Sequence, residues 1–344
     1  MQVKEIGEAL KIAQCIWDAR QLVMPEIEHA KFTQASDLFG NFRQIVVGQH
    51  QGFEIGLAPD GFRDVPEVFP EVQIRHRRDA NRDTEGEASM TAAEVEALFA
   101  RTLVGDYESE AAWDAVRALR TNGSREIFEH GAAWCTSDDP RKRARGACVL
   151  CQLRHGTVPE ILFRDESFAL LTAMLENEQD PVVLNSIIHG LGHLNNALAI
   201  PFILRYLDSP LDSIRFAATF ALGCYPNDEP SIKGLLKLSS DPDSEIRDWA
   251  VFGFGVQGDA DSPEIRDALL RCLNDTNEDV REEAAVGLGK RQDQRVIPAL
   301  FRMLEDPVLK KRAAEAAAAL LGMDQDPPEW TAADYRAAVA KIGE

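Results

Sequence analysis

No run of about 18 apolar residues occurs in this chain of 344 residues, so no membrane-spanning helix is expected. Positive charge is also scarce. Lys and Arg number 37 against 57 Asp and Glu, a formal net charge of −20. A surface that holds nucleic acid needs clustered Lys and Arg, so nucleic acid is excluded as the expected ligand, and a field of this sign favours a basic partner. The chain lacks a Gly-rich phosphate loop, a nucleophile elbow and an ordered catalytic triad. The six cysteines, Cys15, Cys135, Cys148, Cys151, Cys224 and Cys272, sit mostly in apolar helical patterns and read as small buried hydrophobes, not as disulfides. The opening segment from Val3 carries charge throughout, unlike the basic start and apolar stretch of a secretory signal. A cytoplasmic protein with no cofactor is expected.

What the chain does have is a short pattern that returns six times in its last two-thirds. Each copy runs from Asp or Ser through a turn residue and three variable positions to an aliphatic, an Arg and an Ala/Gly/Leu-rich helix. Asp241 to Arg247 with Phe254-Gly255, and Asp275 to Arg281 with Leu288-Gly289, are the fullest copies. Asp139 to Arg145 and Asp306 to Arg312 keep the interval, whereas Ser209 to Arg215 and Asp180 to Leu184 are degraded. Units spaced roughly 30 to 40 residues apart read as paired helices that bury their apolar faces only by stacking. Proline in the first turn of several first helices fits, because its missing N–H would be unpaired there anyway.

The amino-terminal part differs. Residues 1–76 read as a small α+β module: a helix over Val3 to Val23 stopped by Pro25, then an aromatic-rich stretch with a hairpin of Gln44 to Val47 and Phe53 to Leu57. Residues 77–90 are charged, have no apolar period and read as a linker. Helix resumes with Thr91 as cap and Glu94 as its capping-box partner, and the solenoid is expected over 91–344, ending in a capping helix from Thr331 to Ile342.

The pattern Asp-Pro-x-x-x-(Val/Ile)-Arg-x-x-Ala-Ala-x-x-Leu-Gly resembles HEAT repeats, and within them the short variety of phycobilisome lyases, over residues from about 106 to about 325. That resemblance implies a mostly α fold: a right-handed α-helical solenoid of about six or seven repeats behind the small α+β module. It also implies that the motif Asp and Arg pair between neighbouring repeats as a stacking ladder, which gives a structural role to Asp139, Arg145, Asp241, Arg247, Asp275, Arg281, Asp306 and Arg312. Repeats of this kind serve scaffolds, adaptors, lyases and a few enzymes, so function has to come from the site. The repeated His-Glu dipeptides of a deoxyhypusine-type hydroxylase are missing.

One binding site is expected from the residues, and a second cluster offers an alternative. With the second helices in register on their arginines, the first, second and fifth following positions fall away from the Ala/Leu stripe and should line the inner surface. There Phe216, Phe220, Trp249 and Phe252 would form an aromatic anchor patch, rimmed by Asp248, Glu282 and Glu283. No metal site is expected, the cysteines reading as core and the histidines as helix surface; the alternative is a mixed His/Cys metal or cofactor centre between repeats. His189 and His193 are four apart on one helix, a spacing that can share a metal, and Cys148, Cys151 and His155 lie along the corresponding stretch of the preceding repeat. The expected function is a non-enzymatic scaffold that binds a basic protein or peptide, an acidic immunity-type inhibitor being one form; the alternative is an enzyme or cofactor-handling protein built on the His/Cys cluster.

Overall fold

The computed structural model describes residues 90–105, 107–158, 160–305, 310–323 and 329–342. The α+β module, the linker apart from Met90, and Asp306 lie outside the described residues. Within them the chain is helical, with an isolated bridge between Asn122 and His155 as its β pairing. The helices are α1 (Ala92–Arg101), α2 (Glu110–Thr121), α3 (Arg125–Cys135), α4 (Pro140–Leu150), α5 (Arg164–Leu175), α6 (Pro181–His193), α7 (Ile200–Ile203), α8 (Asp212–Gly223), α9 (Glu229–Leu238), α10 (Ser244–Val251), α11 (Pro263–Cys272), α12 (Glu278–Lys290), α13 (Ile297–Met303), α14 (Lys311–Leu320) and α15 (Ala332–Ala340). No described helix is long and apolar enough to cross a membrane.

Local chemistry sets these boundaries. Thr91 and Glu94 form the capping box that starts α1, and Ser109, Ser124, Asp180, Ser262 and Asn277 each accept from a backbone N–H in the first turn of the helix that follows. Pro140, Pro181, Pro201, Pro230, Pro263 and Pro298 occupy first turns. The helices pair in order from α1/α2 to α13/α14, and α15 packs on the last pair. Consecutive second helices α4, α6, α8, α10, α12 and α14 lie against one another in a single layer, making an α-helical solenoid of seven pairs. The wide interval between α4 and α6 holds α5 preceded by an irregular connection. Residues 151–156 fold back on the α2–α3 connection, where Arg154 N donates to Arg120 O at 2.8 Å and Gly123 N to Arg154 O at 3.0 Å.

Ion pairs join the layer. Arg247 of α10 holds Asp275 of the next repeat with two parallel bonds, Nε to Oδ2 at 2.8 Å and Nη2 to Oδ1 at 2.7 Å, and its Nη1 donates to Asp241 O of its own turn at 2.8 Å. Arg215 repeats this on Asp241 at 2.7 and 3.0 Å, with Nη1 on Ser209 O. Arg281 donates to Asp275 O and Thr276 O, and Arg312 reaches back to Glu283 at 3.0 Å. In the second pair the geometry differs from the expected register by two residues. Arg143, not Arg145, takes the place, holding Glu178 at 2.7 and 3.0 Å and donating to Ser137 O. Asp139 caps α4 by accepting from Arg141 N, and Arg145 is buried elsewhere. At Leu184 the forward pair is interrupted, because an aliphatic cannot donate to the turn of the next repeat.

Small residues let the layer close. A methyl group built on Gly289 would lie 2.5 Å from Ala316 O, and one on Gly192 would lie 2.9 Å from Ala221 Cα, so backbone meets backbone there. At Gly223 the nearest neighbour of such a methyl is Gln257 Oε1 at 3.6 Å. After Val251 the helix widens into a π segment, Phe252–Gln257, whose displaced carbonyls are gathered by one buried guanidinium: Arg291 donates to Phe254 O, Gly255 O, Gly258 O and Ala260 O, as well as to Gly287 O of its own helix. The core falls into two clusters that meet at α4. Cys148, Val149 and Leu150 face α1 to α3, and Ala144, Ala147 and Cys151 face the rest of the stack.

Breaking the half-buried pair between repeats gives a direct test. Arg247→Ala is expected to lower unfolding free energy by about 1 to 3 kcal/mol, because Asp275 and two turn carbonyls lose their donor. Arg247 hydrogen bonds hold Asp275 below its ordinary value of 3.8, so this stability is present above that range and lost as pH falls through the lowered folded value. A double-mutant cycle with Asp275→Ala, read by denaturant melts at pH 7 and again in acid, should show coupling at neutral pH that fades in acid; no coupling at pH 7 would remove the ladder from the account.

The two glycines should respond with opposite sign. Gly289→Ala forces a methyl onto a backbone carbonyl and should cost about 1 to 3 kcal/mol. Gly223→Ala has room and should gain about 0.5 to 1 kcal/mol from helix propensity. Thermal melts of the two variants check this, and equal shifts would refute the close-contact argument.

Candidate functional site

The ladder fixes the register of each second helix, and the first, second and fifth positions after it can then be read in order. They are Ala144, Arg145 and Cys148 in α4, Asn185, Ser186 and His189 in α6, and Phe216, Ala217 and Phe220 in α8. In α10 they are Asp248, Trp249 and Phe252, and in α12 Glu282, Glu283 and Val286. The row thus passes from basic and polar, through aromatic, to acidic.

The aromatic part is not the exposed patch expected from the sequence. Phe216 and Phe252 are 0% exposed, and Phe220 and Trp249 are 7% exposed. Rings meet across neighbouring helices, His189 4.8 Å from Phe220, Phe220 5.9 Å from Trp249 and Phe216 6.0 Å from Trp249, while Phe252 stands 5.9 Å from Trp249 of the turn before it. The positions do leave the Ala/Leu stripe of their own helix, but the neighbouring second helix closes over them. These four residues are core. The acidic rim also changes. Glu283 is buried and paired with Arg312, so it is part of the stack. Glu282 and Asp248 are half-buried, and burial raises the Glu282 carboxyl while Lys310 pulls it back.

At the amino-terminal end of the row the chain builds a narrow polar pocket between α2, α4 and α6. Tyr107, Trp113, Arg120, Arg145, Cys148, Cys151, Asn185, Ser186, His189 and His193 line it. Arg145 is fully buried. Its Nε donates to Thr102 O at 3.2 Å, its Nη2 to Tyr107 O, and its guanidinium carbon sits 3.5 Å from the Tyr107 ring centre and 4.7 Å from that of Trp113. Arg120, also buried, donates to Cys148 O at 2.9 Å and to Gln152 Oε1 at 2.8 Å. Burial alone pushes His189 down to about 3, and burial with the nearby positive charge of Arg120 lowers His193 well below the ordinary imidazole range. Both rings are therefore neutral at physiological pH, and the guanidinium groups set the sign of the pocket.

The metal reading of the His/Cys cluster is only partly matched by this geometry. Cys148, Cys151, His189 and His193 do line one pocket, but His155 is exposed and lies outside it, in the bridge to Asn122. Among the described residues no three His, Cys, Asp or Glu side chains stand as a metal-holding group. Cys148 Sγ instead accepts from Arg120 Nη2 at 3.0 Å, and Cys151 Sγ donates to Cys148 O at 3.2 Å. The sequence patterns single out neither Arg120, Asn185 nor Ser186 as site residues. A signal for Arg145 was available: Arg143 and Arg145 are two apart on a helix, so they point to nearly opposite sides and cannot share one ladder.

Comparison with known proteins agrees with this architecture. The family model of HEAT repeats matches residues 168–253 and 232–321. Protein YibA of Escherichia coli is 28% identical over 224 residues, covering 63% of this chain and 78% of that protein. The X-ray structure of the same protein aligns with a TM-score of 0.57 at 22% identity, over 74% of this chain and 95% of that one. The complex of CpcE and CpcF of phycocyanin lyase from Nostoc aligns over 77% of this chain at 16% identity, with a TM-score of 0.40. Residues 168–321 match the model of HEAT repeats, and helix pairs of the same kind stack on either side of them.

Proposed function

We propose that the protein is a non-enzymatic scaffold that takes a basic protein or peptide on its second-helix layer. One observation supports this above others: seven helix pairs present a continuous row of second helices in a chain of net charge −20. Stacks of this kind offer extended binding surfaces, and a field of that sign raises the local concentration of basic segments. Glu278 and Asp279 are exposed at the first turn of α12, beside half-buried Glu282, and form the acidic end of the row. An immunity-type inhibitor that neutralises a basic protein is one form such a scaffold takes. The described cysteines Cys135, Cys148 and Cys272 are free thiols, which supports a cytoplasmic setting.

A matched pair of charge reversals within one repeat tests the surface. Glu278→Lys with Asp279→Lys alters the second helix, and Glu264→Lys with Asp267→Lys makes the same change in net charge on exposed positions of its partner α11. Binding of a labelled Lys/Arg-rich octapeptide is followed by fluorescence anisotropy over a salt series. The first pair should weaken binding by about fivefold or more, and the second by less than about twofold. Equal losses would mean that only the overall field attracts the peptide, which overturns the second-helix layer as the site; no loss with either would overturn the basic partner.

A further inference from the structure

The polar pocket between α2, α4 and α6 has a feature that neither the stack nor the acidic surface explains. Two buried polar atoms on its wall, Arg145 Nη1 and His189 Nδ1, have no hydrogen-bond partner. Arg145 is 0% exposed and His189 5% exposed, so bulk water does not satisfy them. Arg145 forms no ion pair with any described residue; its charge rests on two backbone carbonyls and two aromatic faces. None of the described residues lining the pocket is acidic, although the chain as a whole carries a large excess of carboxylates.

A buried cation with an open N–H edge, beside a neutral imidazole that donates from Nδ1 in one tautomer, matches one chemistry. We propose that this pocket binds a small carboxylate, with one oxygen taking Arg145 Nη1–H and the other His189 Nδ1–H, and Asn185 and Ser186 lining the pocket one turn before His189 on α6. The carboxylate belongs either to a free small acid or to the terminus of a peptide chain, since both present the same group. This site lies at the opposite end of the second-helix row from Glu278 and Asp279, and its occupancy does not rest on the scaffold reading.

The test follows the melting temperature and calorimetric titration of the full chain with acetate, N-acetylglycine, acetamide and inorganic phosphate at fixed ionic strength. Acetate and N-acetylglycine should give a saturable stabilisation that acetamide does not, visible well below about 50 mM if the dissociation constant is near millimolar. N-acetylglycine binding at least about tenfold tighter than acetate assigns a chain terminus, and similar affinities assign a small acid. Arg145→Met should abolish the response. Because Arg145 also bonds Thr102 and Tyr107, a second variant guards against a folding defect: Ser186→Asp places a carboxylate on the pocket wall and should remove the acetate response while the variant stays folded. A saturable response that survives in a folded Ser186→Asp variant would overturn the proposal. So would a phosphate response equal to that of acetate, or no saturable response to either acid, the last leaving the pocket as a slot for an ordered water.

Discussion

Consecutive second helices approach until backbone meets backbone, and the rest of the molecule depends on that contact. Glycine and alanine at the seam permit it, and the arginine-to-carboxylate bridges of the turns hold its edge. Each bridge is less exposed than a surface ion pair, with side-chain exposures of 14% and 12% for Arg247 and Asp275, so the pairing is screened less and its geometry matters more. The seam also decides what becomes of the residues beside it. A ring projecting from one second helix meets the next before it meets water, which is why an aromatic row that looks like an anchor in one helix becomes core in the stack.

The repeats were legible because their signal is local: a turn residue, a fixed interval, an arginine and a small-residue helix. The start of α1 was legible too, since Thr91 and Glu94 form the expected capping box. What stayed hidden depends on neighbours in space. Asp139 and Arg145 have the right interval but stand two residues late, while Ser137 and Arg143 hold the place in the structure. The carboxylate that answers Arg143 is Glu178, and a Glu outside the Asp-led motif gives no warning that it serves. The pocket was legible only in part. His189 and Cys148 were visible as a cluster, but the arginine that sets its sign had been assigned to the ladder.

The pocket and the outer surface carry opposite charge in one chain, and the two are compatible because they obey different rules. Exposed carboxylates act through a screened field that reaches about a Debye length. A buried guanidinium acts only at contact, and it is tolerated because carbonyls and ring faces replace part of its hydration. The histidines beside it stay neutral and add no charge of their own. A chain with an excess of acids can therefore keep a locally basic recess while its long-range field stays negative.

The Arg291 guanidinium, which gathers carbonyls from the π segment, the loop beyond it and its own helix, has a mechanical consequence. Bending a solenoid means rotating one repeat slightly about the next. At the α10–α12 junction the same rotation would pull at least four carbonyls off one charged group at once. That joint acts as a splint. Any flexing of the superhelix is shared among the remaining junctions, above all at Leu184, where the chain of bridges is already interrupted.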